Sequence, residues 1–297
     1  MTSRSNAATE SIAYVEGAQG LRLAADLMGP PDGPPVNLLQ GGGQARHSWL
    51  GAQHRLAVAG YRVIAYDARG HCVSDWSEVG DYGIASLADE LRSVLAYDAR
   101  PAALVGASLG GVTLMMSLIG ASPAQCWALA LVDVVPCMNL DGRARMLEFM
   151  AAYPEGFASI DNAIEASSAY LSHRAGRSRT VLGAMKNLPV RQGRFYWRWD
   201  PALLKNRITD PPFAGLESAL RSGLFPVLLV RGGLGDLVTE RGAQSFAAAV
   251  PGAEISAITG AAHMVAGDRN DAFGSAILSF LRPANDARGP TKALRGR

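Results

Sequence analysis

Apolar and polar positions follow two rhythms along the chain. Short apolar runs occur at 36–39, 62–66, 103–107, 128–132, 227–230 and 255–258. They are rich in Val, Ile and Leu without strict alternation, the pattern of strands covered on both faces of a parallel sheet. Between them, apolar positions recur at helical spacing over 49–59, 87–97, 109–119, 239–250 and 272–281. Strands alternating with helices of this length predict βαβ units and a mostly parallel, doubly wound α/β sheet. Ahead of this region, 11–28 carries β-prone pieces around Gly17 and Gly20 that read as an antiparallel hairpin. Pro30, Pro31, Gly33, Pro34 and Pro35 then force a turn.

The rhythm breaks between 137 and 223, where Met, Arg, Trp and Tyr become more frequent and helical spacing appears at 144–153 and 160–171. The expected organisation is a first core part over 1–136, a helical insertion over 137–223, a second core part over 224–282 and a flexible basic tail over 283–297. Hydrophobic residues make up 48% and charged residues 18%, ample for a packed core. The net charge of +2 comes from that tail: 282–297 holds five basic residues and one acid, leaving 23 basic against 25 acidic residues elsewhere. A clustered basic face is missing, which argues against nucleic-acid binding. No stretch approaches the roughly 18 apolar residues of a membrane-spanning helix, and residues 1–10 lack the apolar run of a secretory signal. Cys72, Cys126 and Cys137 are too few for a disulfide framework, and zinc-type Cys-x-x-Cys or His-x-x-x-His spacing is absent. A cytoplasmic protein without a metal site is the expectation, and the sequence leaves a homodimer open.

The run from Leu104 to Gly111 carries the chemistry. It places Gly106-Ala107-Ser108-Leu109-Gly110 between an apolar strand and an apolar helix. A serine on such a sharp turn presents its hydroxyl above the sheet, at the positive end of the helix. A nucleophilic serine needs a base, and the base needs an orienting carboxylate. Of the five histidines, His263 stands just after the last strand run, whereas His47, His54 and His173 read as surface or packing residues. Asp236 follows the 227–230 strand and is the preferred acid; Asp133, directly after 128–132, is its competitor. Functional groups of open α/β sheets gather at these carboxyl ends. Two backbone amides would complete an oxyanion site: that of Leu109, and that of Gly42 in the loop Gln40-Gly41-Gly42-Gly43-Gln44. Gly-x-Gly-x-x-Gly and Gly-Lys-Ser/Thr patterns are absent, so no nucleotide cofactor is expected.

These pieces, with Tyr66-Asp67-Ala68-Arg69-Gly70-His71-Cys72-Val73-Ser74-Asp75-Trp76 and Arg46-His47-Ser48-Trp49, resemble the α/β-hydrolase superfamily over roughly residues 12–282. The chain is similar to capped bacterial serine hydrolases described as esterases, lactonases or cofactor-free haloperoxidases. The resemblance implies the α/β-hydrolase fold, with 137–223 as a helical cap inserted between core strands. Two departures stand out: Gln40 replaces the usual histidine of the oxyanion loop, and Cys72 replaces a glycine.

Phe149, Met150, Tyr196, Trp197 and Trp199 are candidates for an apolar pocket beneath the cap. The cap arginines, among them Arg145, allow a substrate carboxylate as a lesser option. The expected activity is hydrolysis of a small-molecule carboxylic ester, with lactones and half-esters in range, through an acyl-enzyme. A carbon–carbon bond hydrolase of the meta-cleavage type, or a non-catalytic small-molecule receptor, is the alternative on the same fold.

Overall fold

A computed structural model describes residues 11–119, 125–170, 188–205, 215, 218, 220, 221 and 225–287. Strands β1 (Ser11–Glu16), β2 (Arg22–Met28), β3 (Pro35–Leu39), β4 (Arg62–Tyr66), β5 (Ala102–Ala107) and β6 (Cys126–Val132) lead into a small hairpin of β7 (Val190–Arg191) and β8 (Arg194–Phe195). β9 (Val227–Gly232) and β10 (Glu254–Ile258) follow. Eight of these strands form one sheet in the order β1-β2-β4-β3-β5-β6-β9-β10. The β1–β2 and β2–β4 pairs are antiparallel, and the remaining pairs are parallel. The expected hairpin and parallel sheet are therefore present.

The uninterrupted apolar strands reflect cover on both faces. On β5, Ala103, Val105 and Ala107 pack into one core, while Ala102 and Leu104 pack into the other. β6 divides in the same way, with Ala128, Ala130 and Val132 opposite Leu129 and Leu131. Helices α1 (Leu50–Val58), α2 (Ile84–Tyr97) and α3 (Leu109–Leu118) follow strands β3, β4 and β5. α2 buries Leu87, Leu91 and Val94 at four- and three-residue spacing, the stripe of a helix laid on a sheet. α6 (Glu240–Ala249), the short α7 (Val265–Asp268) and α8 (Asn270–Asp286) complete the core. Phe273, Ile277, Phe280 and Leu281 of α8 meet Trp49 and Leu56 on the face opposite α2 and α3. Only Ile258 of β10 is buried, because β10 is an edge strand paired to β9 alone.

Between β6 and β9 lie α4 (Leu140–Ala151), α5 (Ile160–Tyr170), the β7–β8 hairpin and a 3₁₀ turn at Pro201–Leu204. Positions 171–187 and 206–214 of the expected cap, His173 among them, fall outside the described residues. One boundary differs from expectation. α8 continues through Pro283 to Asp286, so the start of the expected tail is helical, and 288–297 lies outside the described residues. No helix among the described residues is long and apolar enough to cross a membrane.

The two cores predict a sharp contrast. Phe273 is fully buried with its ring 5.5 Å from that of Trp49, whereas Val58 is 76% exposed. Phe273→Ala should lower the unfolding free energy by about 3–5 kcal/mol. Val58→Ala should change it by less than about 0.5 kcal/mol. Urea unfolding midpoints at unchanged slope provide the measurement.

Candidate active site

Each parallel strand delivers its next residues to the same sheet edge, and the candidate groups come from those ends. Ser108 stands between β5 and α3 with φ +46° and ψ −115°, a conformation that side chains rarely adopt. Such a residue stores about 1–3 kcal/mol of strain, sustained by the structure around it. Its N–H donates to Val132 O at 3.1 Å, and its carbonyl accepts from Val112 N–H at 3.0 Å. The flanking glycines are required by close approach. A Cβ on Gly106 would lie 2.7 Å from backbone atoms of Gly110 and Gly111, and one on Gly110 would lie 2.5 Å from Leu39 O. Any side chain at either position would push strand, turn and helix apart.

The loop after β3 lies against this turn. A Cβ on Gly41 would sit 3.3 Å from Ser108 Cβ, and one on Gly42 would sit 3.6 Å from Leu109 Cδ2. Leu109 is the first residue of α3, so its amide has no carbonyl within the helix to donate to. The two predicted oxyanion residues, Gly42 and Leu109, thus adjoin each other beside Ser108.

Asp133 immediately follows β6, is fully buried, and has φ +50°. Its Oδ1 accepts from Gly232 N–H at 3.1 Å, and its Oδ2 accepts from His263 Nδ1 at 2.8 Å. A carboxylate only accepts here, so Nδ1 carries a proton, and in the neutral ring Nε2 is the nitrogen with the free lone pair. That is the tautomer a general base requires.

The preferred acid therefore changes. The hydrogen-bond partner of Asp236 is not His263 but Arg145: its side chain is 51% exposed and accepts from Arg145 Nη2 at 2.6 Å and Nε at 3.1 Å. The reason lies in the turn after β9. Gly233 N–H donates to Ile258 O, Leu234 N–H to Ala261 O and Gly235 N–H to Gly232 O, so the chain folds back at once. Asp236 emerges toward cap helix α4, where its side chain meets Arg145, and a Cβ on Gly235 would lie 3.2–3.3 Å from the Asp133 carboxylate oxygens. A usable signal was distance from the strand. Asp133 is the first residue beyond its strand, as Ser108 is, whereas Asp236 is the fourth beyond β9.

Over the loop sits the cap. Met150 and Trp199 are buried, and a Cβ on Gly43 would meet Met150 Cε at 3.3 Å and the Trp199 ring at 3.2 Å. Trp197 stacks on Trp199 with centroids 4.8 Å apart, and Phe149 meets the Trp197 ring edge-on at 5.5 Å. Tyr196 instead packs on Gly156 within the cap. Tyr170 stacks on Phe149 at 4.2 Å and went unnoticed in the sequence. Burial, reinforced by Asp236, pushes its phenol up to about 12, so it stays protonated. Burial likewise pushes the Cys72 thiol up to about 12, which leaves it inert as a nucleophile.

Comparisons with known proteins agree with the fold. Residues 38–276 match a family described as the alpha/beta hydrolase family. The chain is 31% identical over 217 residues to the esterase Rv0045c of Mycobacterium tuberculosis, covering 70% of this chain and 69% of that one. It is 27% identical over 217 residues to the probable protein phosphatase methylesterase 1 of Caenorhabditis elegans, covering 68% of this chain and 57% of that protein. Among solved structures, E-2-(acetamidomethylene)succinate hydrolase shares the fold with a TM-score of 0.76 at 23% identity, over 92% of this chain and 99% of that one.

The two aspartates separate in a kinetic test. Asp133→Asn should reduce kcat for ester hydrolysis by about 10⁴-fold, since an amide at this position stabilises the wrong imidazole tautomer. Asp236→Asn should leave kcat within about threefold, because it removes only an exposed ion pair. Steady-state rates with a p-nitrophenyl ester provide the comparison.

Proposed function

This chain belongs to the α/β-hydrolase family, and we propose that it is a serine-dependent carboxylic-ester hydrolase working through an acyl-enzyme. The reading is carried by the strained Ser108 turn together with the buried Asp133–His263 pair. Ser108 Oγ attacks the acyl carbon while His263 Nε2 takes its proton. The carbonyl oxygen becomes an oxyanion facing the Gly42 and Leu109 amides, each such donor lowering the barrier by about 2.7–4 kcal/mol. His263 returns the proton to the departing alcohol. Water then attacks the acyl-enzyme with His263 again as base, releasing the acid and restoring Ser108.

Met150, Phe149, Trp197 and Trp199 give the space above the oxyanion loop an apolar lining, which favours an uncharged acyl arm. The names of the relatives, an esterase and a methylesterase, support the same bond class. Three free cysteines suit a reducing compartment, and we place the enzyme in the cytoplasm.

A p-nitrophenyl acyl-ester series tests the proposal. Wild type should turn over these esters and be labelled by a fluorophosphonate, while Ser108→Ala should lose both, with kcat falling at least about 10⁴-fold. Absence of turnover and of labelling in the wild type refutes the proposal.

A further inference from the structure

His71 lies outside the Ser108–His263–Asp133 set, yet it is fully buried directly beneath the oxyanion loop. Its two ring nitrogens are both engaged. Nδ1 is 3.0 Å from Arg69 O, and a carbonyl only accepts, so Nδ1 carries the proton. Nε2 therefore presents a lone pair, and it accepts the Gly43 N–H at 3.0 Å. Burial holds the imidazole below its ordinary pKa, in keeping with a neutral acceptor.

Gly43 is the residue that turns the loop. It takes φ +73°, and Gln44 N–H closes the turn onto Gly41 O at 3.1 Å. The Gly43 N–H shares a planar peptide with the Gly42 carbonyl. Holding that N–H fixes the peptide on one side of Gly42, while the peptide that carries the Gly42 N–H, the proposed oxyanion donor, is held by the Gly41 O–Gln44 N–H bond; the two together hold Gly42 in place. Gln40, in the place where related enzymes carry histidine, does not supply this contact: its side-chain amide makes no hydrogen bond among the described residues.

The cap reaches the same glycine through Trp199 and Met150. It is also joined to the His71 turn by backbone. Cys72 N–H donates to Arg198 O at 2.7 Å, Asp200 N–H donates to Gly70 O at 2.8 Å, and His71 and Trp199 form an antiparallel bridge. Gly43 gives its N–H to the His71 imidazole and lies against the Trp199 indole, and those two residues are paired to each other.

We infer that His71 is a positioning residue for the oxyanion hole, its Nε2 anchoring Gly43 so that the Gly42 amide faces the developing oxyanion. The inference rests on the serine-hydrolase reading above. It also makes the cap segment 198–200 a support of the oxyanion loop and not merely a cover.

Two substitutions differing by one methylene separate this role from general packing. In His71→Gln the side-chain oxygen reaches about where Nε2 lies, so an acceptor for Gly43 is kept. In His71→Asn the side chain still reaches toward Arg69 but is too short for Gly43. His71→Asn should lower kcat for p-nitrophenyl acetate about 10–100-fold with KM within about threefold, and should slow fluorophosphonate labelling of Ser108 by a similar factor. His71→Gln should recover most of both rates. Equal rates for the two variants at matched melting temperature, or wild-type rates in His71→Asn, overturn the inference. Should either variant fail to fold, ¹⁵N NMR of the wild type decides. An unprotonated Nε2 with a through-hydrogen-bond coupling to Gly43 supports the role, and a protonated Nε2 refutes it. Wild type lacking turnover and labelling would instead defeat the hydrolase reading, a distinct outcome from an active wild type with insensitive His71 variants.

Discussion

The buried carboxylate of Asp133 is the constraint that holds the site together. A fully buried charge survives only if each oxygen is paired. Here Oδ1 takes the Gly232 N–H and Oδ2 takes His263, while the Asp133 N–H is given to Val230 O at 2.7 Å. One residue thus ties the end of β6 to β9 and to the loop after β10. Slippage among these ends would leave a buried charge uncompensated, at a cost of about 3–5 kcal/mol. The carboxylate that orients His263 also fixes the framework around it, so geometry and chemistry are set by one interaction.

A second set of buried charges performs the same service on the opposite side of Ser108. Arg46 is buried between Asp67 and Asp26, and Asp67 also accepts the Arg46 N–H. Two residues on, the Arg69 guanidinium meets Glu90 of α2 at 2.8 Å, both side chains being almost wholly buried. Burial raises the Glu90 pKa and the arginine opposes that rise. Together these pairs immobilise the segment after β4, which presents His71 to Gly43. Asp67 and Arg69 are recognisable as a family motif in the sequence, yet their contribution is mechanical: they hold the backbone turn whose His71 meets Gly43.

Much of this was legible in the chain. Strands β3, β4, β5, β6 and β9 were visible because burial on both faces leaves continuous apolar runs. Ser108 was visible because its turn demands glycines at fixed spacing. The acid was misjudged because carboxylates follow both β6 and β9, and sequence does not show which way a glycine-rich turn folds. His71 escaped notice for a related reason. Its partners are a backbone amide and a backbone carbonyl, which leave no complementary side chain to recognise. Tyr170 was hidden in the cap, where packing partners come from helices whose mutual placement no periodicity encodes.

The loop that does not supply the acid has acquired another task. Helix α4 begins at this loop: Asn139 N–H donates to Leu237 O at 2.9 Å, and Asn139 Oδ1 caps the helix through Gly142 N–H. Gly142 approaches so closely that a Cβ would lie 2.7 Å from Asp236 O. The Arg145–Asp236 pair lies above this contact, but Arg145 is solvent-exposed, and exposed ion pairs are weak and screened. Backbone contact through Gly142, more than the visible ion pair, therefore sets the seat of α4. Because α4 carries Met150 to Gly42 and Gly43, the close approach at Gly142 also bears on where this helix meets the loop after β3. The carboxylate of Asp236 meets Arg145 at the surface, while its main-chain oxygen lies where a side chain at 142 would have to go, so that only glycine lets α4 sit against this loop.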